Sequence, residues 1–332
     1  MRVVDMHCDT VSRLLALRRE GKAETLRENT GHLDLMRMRQ GNYLLQNFAL
    51  FDDLGEGRDP WEEVCALYDC YREEMEKNAD IIAPVYRYAD IAANERAGKL
   101  SAMLTVEEGA VCKGEPAKLE ALYEMGVRMV TLTWNFPNEL GSPNLSRELE
   151  GEARKHTPNL KDGLTERGRE FVQEMERLGM IPDVSHLSDA GFYDVLEVTK
   201  KPFVASHSNA RAVCPHVRNM TDDMIRRLAE RGGVMGLNYY ADFLEEVPAG
   251  RENPGTLAAI VRHAKHIADV GGIEILGLGS DFDGIDTHAE LPGAQSMEKL
   301  WEALKASGFA ESQLDRIFSE NVLRVYREAL SL

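Results

Sequence analysis

The sequence predicts an α/β fold, a (β/α)8 barrel, from three observations. Eight short apolar runs rich in β-branched residues recur along the 332 residues. Amphipathic helical stretches separate them, the alternation expected of parallel βαβ units. No Gly-rich nucleotide loop follows the first run, which counts against the open doubly wound sheet, the other home for such a pattern. Eight such units spread over more than 250 residues fit a closed barrel.

The runs are VVDMH (3–7), YLLQNFALF (43–51), LSAMLTVE (100–107), VRMVTLTW (127–134), MIPDVSH (180–186), PFVASH (202–207), GVMGLNYY (233–240) and ILGLGSD (275–281). Helical patterns lie between them at 61–80, 165–179, 188–200, 221–233 and 256–272. Thr165, Ser188 and Thr221 read as N-caps, and Gly179 and Gly271 as C-caps. The polar, Pro- and Gly-containing segment at about 135–163 reads as an elaborated loop over the barrel mouth. The tail from about 296 to 332 reads as two or three closing helices, so that residues 1–332 form a single catalytic domain.

Composition excludes some functions. Lys and Arg number 39 against 56 Asp and Glu, a formal charge of −17. A surface this acidic repels nucleic acid and anionic membrane. The five cysteines are scattered without a CxxC pair, which fits a reducing compartment better than a disulfide framework. Asp5, His7 and Asp9 stand where the apolar core of a signal peptide would lie, and no later run approaches a membrane span. The expectation is a cytoplasmic protein.

Barrel chemistry sits at the C-terminal ends of strands, where the βα loops open. The predicted ends carry His7 and Asp9, Glu107 and Glu108, Trp134, His186, His207, Tyr240 and Asp281. Three of the nine histidines fall there. On an extended backbone His7 and Asp9 point one way and Cys8 the other. His186 and His207 supply a second pair, and a carboxylate on the third strand would lie between the pairs. Histidine with carboxylate suits zinc or a similar ion in an open site. Two such ions, about 4 Å apart, can share a bridging hydroxide. Each element has an ordinary alternative: HCD as a solvated strand end, TVEEG as an exposed turn, GSDFDG as an Asx turn with Asp283 capping. His263 and His266, in a charged helix, read as surface residues; His32, His156, His216 and His288 read as loop residues.

HCD (7–9), TVEEG (105–109), DVSHLS (183–188), SHSNARAVCPHVRN (206–219) and GLGSDFDG (277–284), in this order, resemble the membrane (renal) dipeptidase family of zinc hydrolases. The similarity continues through GLTERGREFVQEMERLGMIPDVSHLSD and RNMTDDMIRRL and spans nearly the whole chain. The resemblance implies a TIM barrel of the metal-dependent hydrolase type, often a homodimer. It implies two zinc ions per chain, with other divalent metals able to substitute, and cleavage of dipeptides that end in a free carboxylate. His7 and Asp9 would hold one ion and His186 and His207 the other. Glu107 would bridge them, preferred over Glu108 because it directly follows Val106. Asp281 would orient the bridging hydroxide and protonate the leaving amine. Arg218 would grip the substrate carboxylate, with Tyr240 nearby. One departure stands out: Trp134 occupies the place of a histidine in well-studied members, with Asn135 next, and either could donate to the substrate's oxygen. The alternatives are a binuclear hydrolase acting on another carboxylate-bearing amide or ester, such as an N-acyl amino acid or lactone, and a non-catalytic metal-binding barrel. The last would show a damaged ligand set, and none is visible.

Overall fold

The computed structural model describes residues 1–248, 250–286 and 288–330. Its strands are β1 (Val3–Asp5), β2 (Tyr43–Phe51), β3 (Ile82–Pro84), β4 (Leu100–Glu107), β5 (Val127–Thr131), β6 (Ile181–Asp183), β7 (Val204–Ala205), β8 (Val234–Leu237) and β9 (Leu276–Leu278). All pairings among them are parallel. The order β2-β1-β9-β8-β7-β6-β5-β4 is closed by the β2–β4 pairing, giving the eight-stranded barrel with helices outside it.

β3 was not anticipated. It pairs with Leu100–Ala102 at the start of β4, while β5 pairs from Leu104 onward. With β2 occupying the other edge of β4, β3 and β5 share one edge in succession. Three residues ending in Pro84 suit such a short edge strand, because proline cannot donate to a ladder.

Register sets the mouth level. Phe51 pairs with Glu107, Glu107 with Thr131, and Thr131 with Asp183, so these strands end in one layer. Toward the other end, Leu45, Met103, Met129, Ile181, Val204 and Val234 pack with Val322 and Tyr326 of the helix Asn321–Ala329. Tyr326 and Asn47 hydrogen-bond each other at 2.8 and 3.0 Å. The closing helices, Met297–Ala306, Glu311–Asp315 and Asn321–Ala329, therefore include one that seals the barrel floor.

Local signals behave as their chemistry dictates. The side chains of Thr165, Ser188 and Thr221 accept from the backbone N–H three residues on. Gly179 caps its helix at φ +81°, whereas the other C-cap falls on Gly272 rather than Gly271. The loop at 135–163 contains the short helix Gly151–His156 and is pinned by bridges from Gly141 to Leu164 and from Pro143 to Leu187. His263 corrects the sequence reading: it is fully buried. Its Nδ1 accepts from Ala210 N at 3.0 Å and its Nε2 lies 2.9 Å from Leu244 O. Its charged helix neighbours mask a position covered by loops distant in sequence. No helix among the described residues is long and apolar enough to cross a membrane.

Candidate metal centre

Four of the five predicted ligands lie two to four residues beyond the last ladder residue of their strands; Glu107 alone ends a strand. The loops bend them inward. Asp9 occupies the N-cap position of the helix Thr10–Arg19, yet its side chain makes no capping bond. It turns to the mouth instead, where its Oδ2 lies 3.3 Å from His7 Nε2. Cys8 points away into the apolar core, beneath a bridge to Phe282. His186 and Asp281 sit at φ +67° and +65°, a region that strains non-glycine residues and persists where the surroundings enforce it.

Glu107 stands at the centre. Its Oε2 is 3.1 Å from His7 Nε2, while its Oε1 is 3.0 Å from His186 Nε2 and 3.5 Å from His207 Nε2. The carboxylate thus faces two ligand groups with different oxygens. His186 Nε2 and His207 Nε2 are 3.0 Å apart, and the His7 and His207 rings stack at 4.0 Å. Asp281 Oδ1 approaches His7 Nε2 at 3.8 Å, and Asn238 Nδ2 donates to its Oδ2 at 2.9 Å. A Cβ on Gly284 would collide with Asp9 Oδ2 and come within 2.7 Å of Asp281 Oδ1, so the final glycine of GSDFDG leaves room for both carboxylates.

Glu108 has a different place. Fully buried, it accepts from Ala110 N and Trp134 N at 2.9 Å each, and from Asn138 Nδ2. It organises the loop after β5. Asp283 accepts from Thr10 Oγ1 and His32 N at 2.6 Å each, tying the loop after β9 to the first helix.

Two of the three histidines are held in the form that ligates a cation. Burial, reinforced by the nearby Arg218 charge, depresses His186 to about 3. Burial and the neighbouring His7 push His207 well below its usual range. Both imidazoles are therefore neutral, the form that ligates a metal. Burial raises Asp9 to about 7 and also raises Asp281. Burial opposes charge on His7 and Glu107 as well. There, however, mutual attraction, helped by Asp9 at His7 and by the histidine hydrogen bonds at Glu107, holds His7 well above and Glu107 well below its usual range. Among the described residues, His7 Nε2 and Asp9 Oδ1 are buried without a hydrogen-bond partner. Unsatisfied buried ligand atoms beside three clustered carboxyl groups fit one or more divalent cations, and neutral histidines with carboxylates fit zinc. His7, Glu107 and His207, and His7, Asp9 and Asp281, form two overlapping groups close enough to hold an ion.

Other side chains orient the ligands, and sequence reasoning missed most of them. Asn135 Oδ1 lies 3.1 Å from His186 Nδ1, so its carbonyl end is engaged with the histidine. A proton held on Nδ1 leaves Nε2 open for an ion. His207 Nδ1 lies 2.8 Å from Ser206 Oγ, and Ser206 Oγ donates to Asp183 Oδ2. Asp183 also accepts from Thr131 Oγ1 at 2.7 Å, Ser206 N at 2.9 Å and Ser185 N at 3.0 Å. Its position at the end of β6, three residues before His186, was a signal in the sequence that was not used.

A cavity of about 820 Å³ opens over this centre, lined in part by Phe51, Trp134, Asn135, Tyr240 and Phe243. Trp134 packs edge-on against Phe51 at 4.9 Å and lies 6.1 Å from the His186 ring. Arg218 is buried beside the centre. Its Nη2 donates to His207 O at 3.3 Å, and its Nε has no hydrogen-bond partner. Burial lowers it to about 10, which leaves the guanidinium charged, and among the described residues no carboxylate lies within ion-pair distance of it.

A family model described as membrane dipeptidase (peptidase family M19) matches residues 1–332. An uncharacterised dipeptidase of Schizosaccharomyces pombe is 33% identical over 315 residues, 90% of this chain and 72% of that protein. An uncharacterised protein from the pqqA 5′ region of Klebsiella pneumoniae is 36% identical over 233 residues, 70% of this chain and 83% of its own length. Among solved structures, a dipeptidase and metallopeptidase of family M19 superposes with TM-score 0.87 at 27% identity, covering 100% of this chain and 99% of that one. A metallopeptidase from Rhodobacter sphaeroides, bound to a phosphinate mimic of the dipeptide L-Ala-D-Ala, superposes with TM-score 0.85 at 26% identity, covering 99% of each chain.

Proposed function

The chain belongs to the membrane dipeptidase family, peptidase family M19, whose members are metal-dependent hydrolases, and from that premise we propose that it cleaves dipeptides bearing a free C-terminal carboxylate with the help of two zinc ions. The observation that carries this reading is Glu107, whose two oxygens face separate ligand groups at 3.1 Å and 3.0 Å. His7 and Asp9 would hold one ion, His186 and His207 the other, and Glu107 would join them. When bound, such ions supply a hydroxide at neutral pH and polarise the scissile carbonyl.

The chain's own groups complete the chemistry. Asp281, anchored by Asn238 Nδ2 at 2.9 Å, takes the proton of the attacking water and delivers it to the departing amine. The buried guanidinium of Arg218, whose Nε has no hydrogen-bond partner among the described residues, receives the substrate's carboxylate. A clamp on that carboxylate favours substrates with one residue after the scissile bond. Tyr240 and Trp134 flank the bound dipeptide, and Asn135 keeps His186 in its ligating tautomer. The dipeptide mimic bound by the Rhodobacter sphaeroides relative supports the substrate class.

The test is a panel of dipeptides, their C-terminal amides and N-acyl amino acids, assayed with zinc-loaded enzyme. Dipeptides should turn over and their amides should fall by about a hundredfold, the effect of leaving a buried charge unpaired. Arg218→Met should raise KM for dipeptides far more than it lowers kcat. Full zinc loading with turnover of N-acyl amino acids and of no dipeptide would overturn the assignment.

A further inference from the structure

We propose that Arg154 makes this site selective for dipeptides whose C-terminal residue carries an acidic side chain. The inference rests on the dipeptide reading above and names a narrower substrate class for the same cavity. Arg154 lies on the short helix Gly151–His156 and lines the cavity over the metal centre. Its Nε is buried without a hydrogen-bond partner, and among the described residues nothing accepts a hydrogen bond or forms an ion pair with its guanidinium. The other basic residues of the lining are engaged. Arg13 pairs with Glu24 at 2.7 Å, and Lys155 faces Asp242 at 3.6 Å.

The helix is fastened to the segment that carries the carboxylate clamp. Val217 N donates to Lys155 O at 2.8 Å, and His156 Nδ1 lies 2.7 Å from Pro215 O. Arg154 is therefore carried by a helix anchored to the segment that leads into Arg218. The same cavity is also lined by the loop with Asp281, Asp283 and the exposed Asp286. A zwitterionic dipeptide aligns with this polarity, its ammonium toward the acidic loop and its carboxylate toward Arg218. The side chain of its second residue branches from the carbon that bears that carboxylate. The guanidinium of Arg154, near that clamp and with no partner among the described residues, offers a planar fork to a second carboxylate, supplied by an aspartate or glutamate side chain. A partly buried arginine gains more from a charged acceptor than from a neutral amide of the same shape, which gives a preference of about tenfold or more.

Ala-Asp against Ala-Asn is the matched pair, with both stereoisomers at the second residue, because the two side chains differ chiefly in charge. The wild-type enzyme should favour Ala-Asp in kcat/KM by about tenfold or more. In Arg154→Gln the ratio should fall to about one, and in Arg154→Lys it should be partly kept. No preference in the wild type, or a ratio unchanged in Arg154→Gln, would overturn the proposal. So would an equal loss on both dipeptides, which would make Arg154 a second grip on the main-chain carboxylate. If no dipeptide is hydrolysed, the broader reading fails on its own. Calorimetric binding of the same pair to the zinc-loaded protein then decides: an Ala-Asp preference that Arg154→Gln removes supports the proposal, and its absence overturns it.

Discussion

The two sides of the mouth are built differently. On the side of β1 and β9, His7, Asp9 and Asp281 form a carboxylate-rich group with orphaned ligand atoms. On the side of β6 and β7, His186 and His207 are neutral imidazoles, each with a partner on Nδ1. Asn135 holds one, and the Ser206–Asp183 pair holds the other. Glu107 belongs to both groups. On the proposed reading, the first side would attract a cation by charge, while the second would present it with prearranged nitrogen ligands. Loss of an orienting side chain should therefore harm the two sides unequally.

The largest effect is expected where the sides meet. Glu107→Gln removes the charge shared by both groups, and kcat/KM should fall by about a thousandfold or more, with weakened binding of both ions. Retention of two tightly held ions would break the bridging description.

Asp183→Asn sharpens the asymmetry. It disturbs the anchor of His207 and the turn that leads to His186, so one of two zinc equivalents should bind about 10- to 100-fold more weakly. Competition with a chelator reads the two equivalents separately. Equal weakening of both, or of neither, would contradict the division. Asn135→Ala acts on the same side through one hydrogen bond and should weaken that equivalent by about tenfold.

The smallest expected effect is on stability. His263 is depressed to about 4, chiefly by burial, and accepts from Ala210 N in the loop that follows His207. In the unfolded chain it titrates near 6.5, so between about 6.5 and 4 the unfolded state binds more protons and stability falls as pH falls. The loss should reach about 2 kcal/mol between pH 6.5 and 5. His263→Gln, which retains a donor and an acceptor, should flatten that part of the denaturation profile. An unchanged slope would remove His263 as its source.

Much of this was legible in the sequence, for identifiable reasons. Parallel barrel strands are buried on both faces and read as apolar runs, and histidine is rare enough that three at strand ends carry information. β3 escaped because three residues give no periodicity. The burial of His263 escaped because its cover comes from Ala210 and Leu244, distant in sequence. Asp183 and Ser206 escaped because such residues commonly cap turns, and only the fold brings them behind His207. Asn135, considered as a donor to substrate, is found against His186. Glu107 and Glu108 were separated by geometry: one faces the histidines and the other ties down a loop.

The central claim is that two cations are held on either side of Glu107. Counting zinc by mass spectrometry in protein prepared with excess zinc and then freed of loose metal tests it most directly. The account predicts about two equivalents per chain, falling to about one in Asp183→Asn at a chelator concentration that the wild type withstands. One equivalent or fewer in the wild type would contradict it.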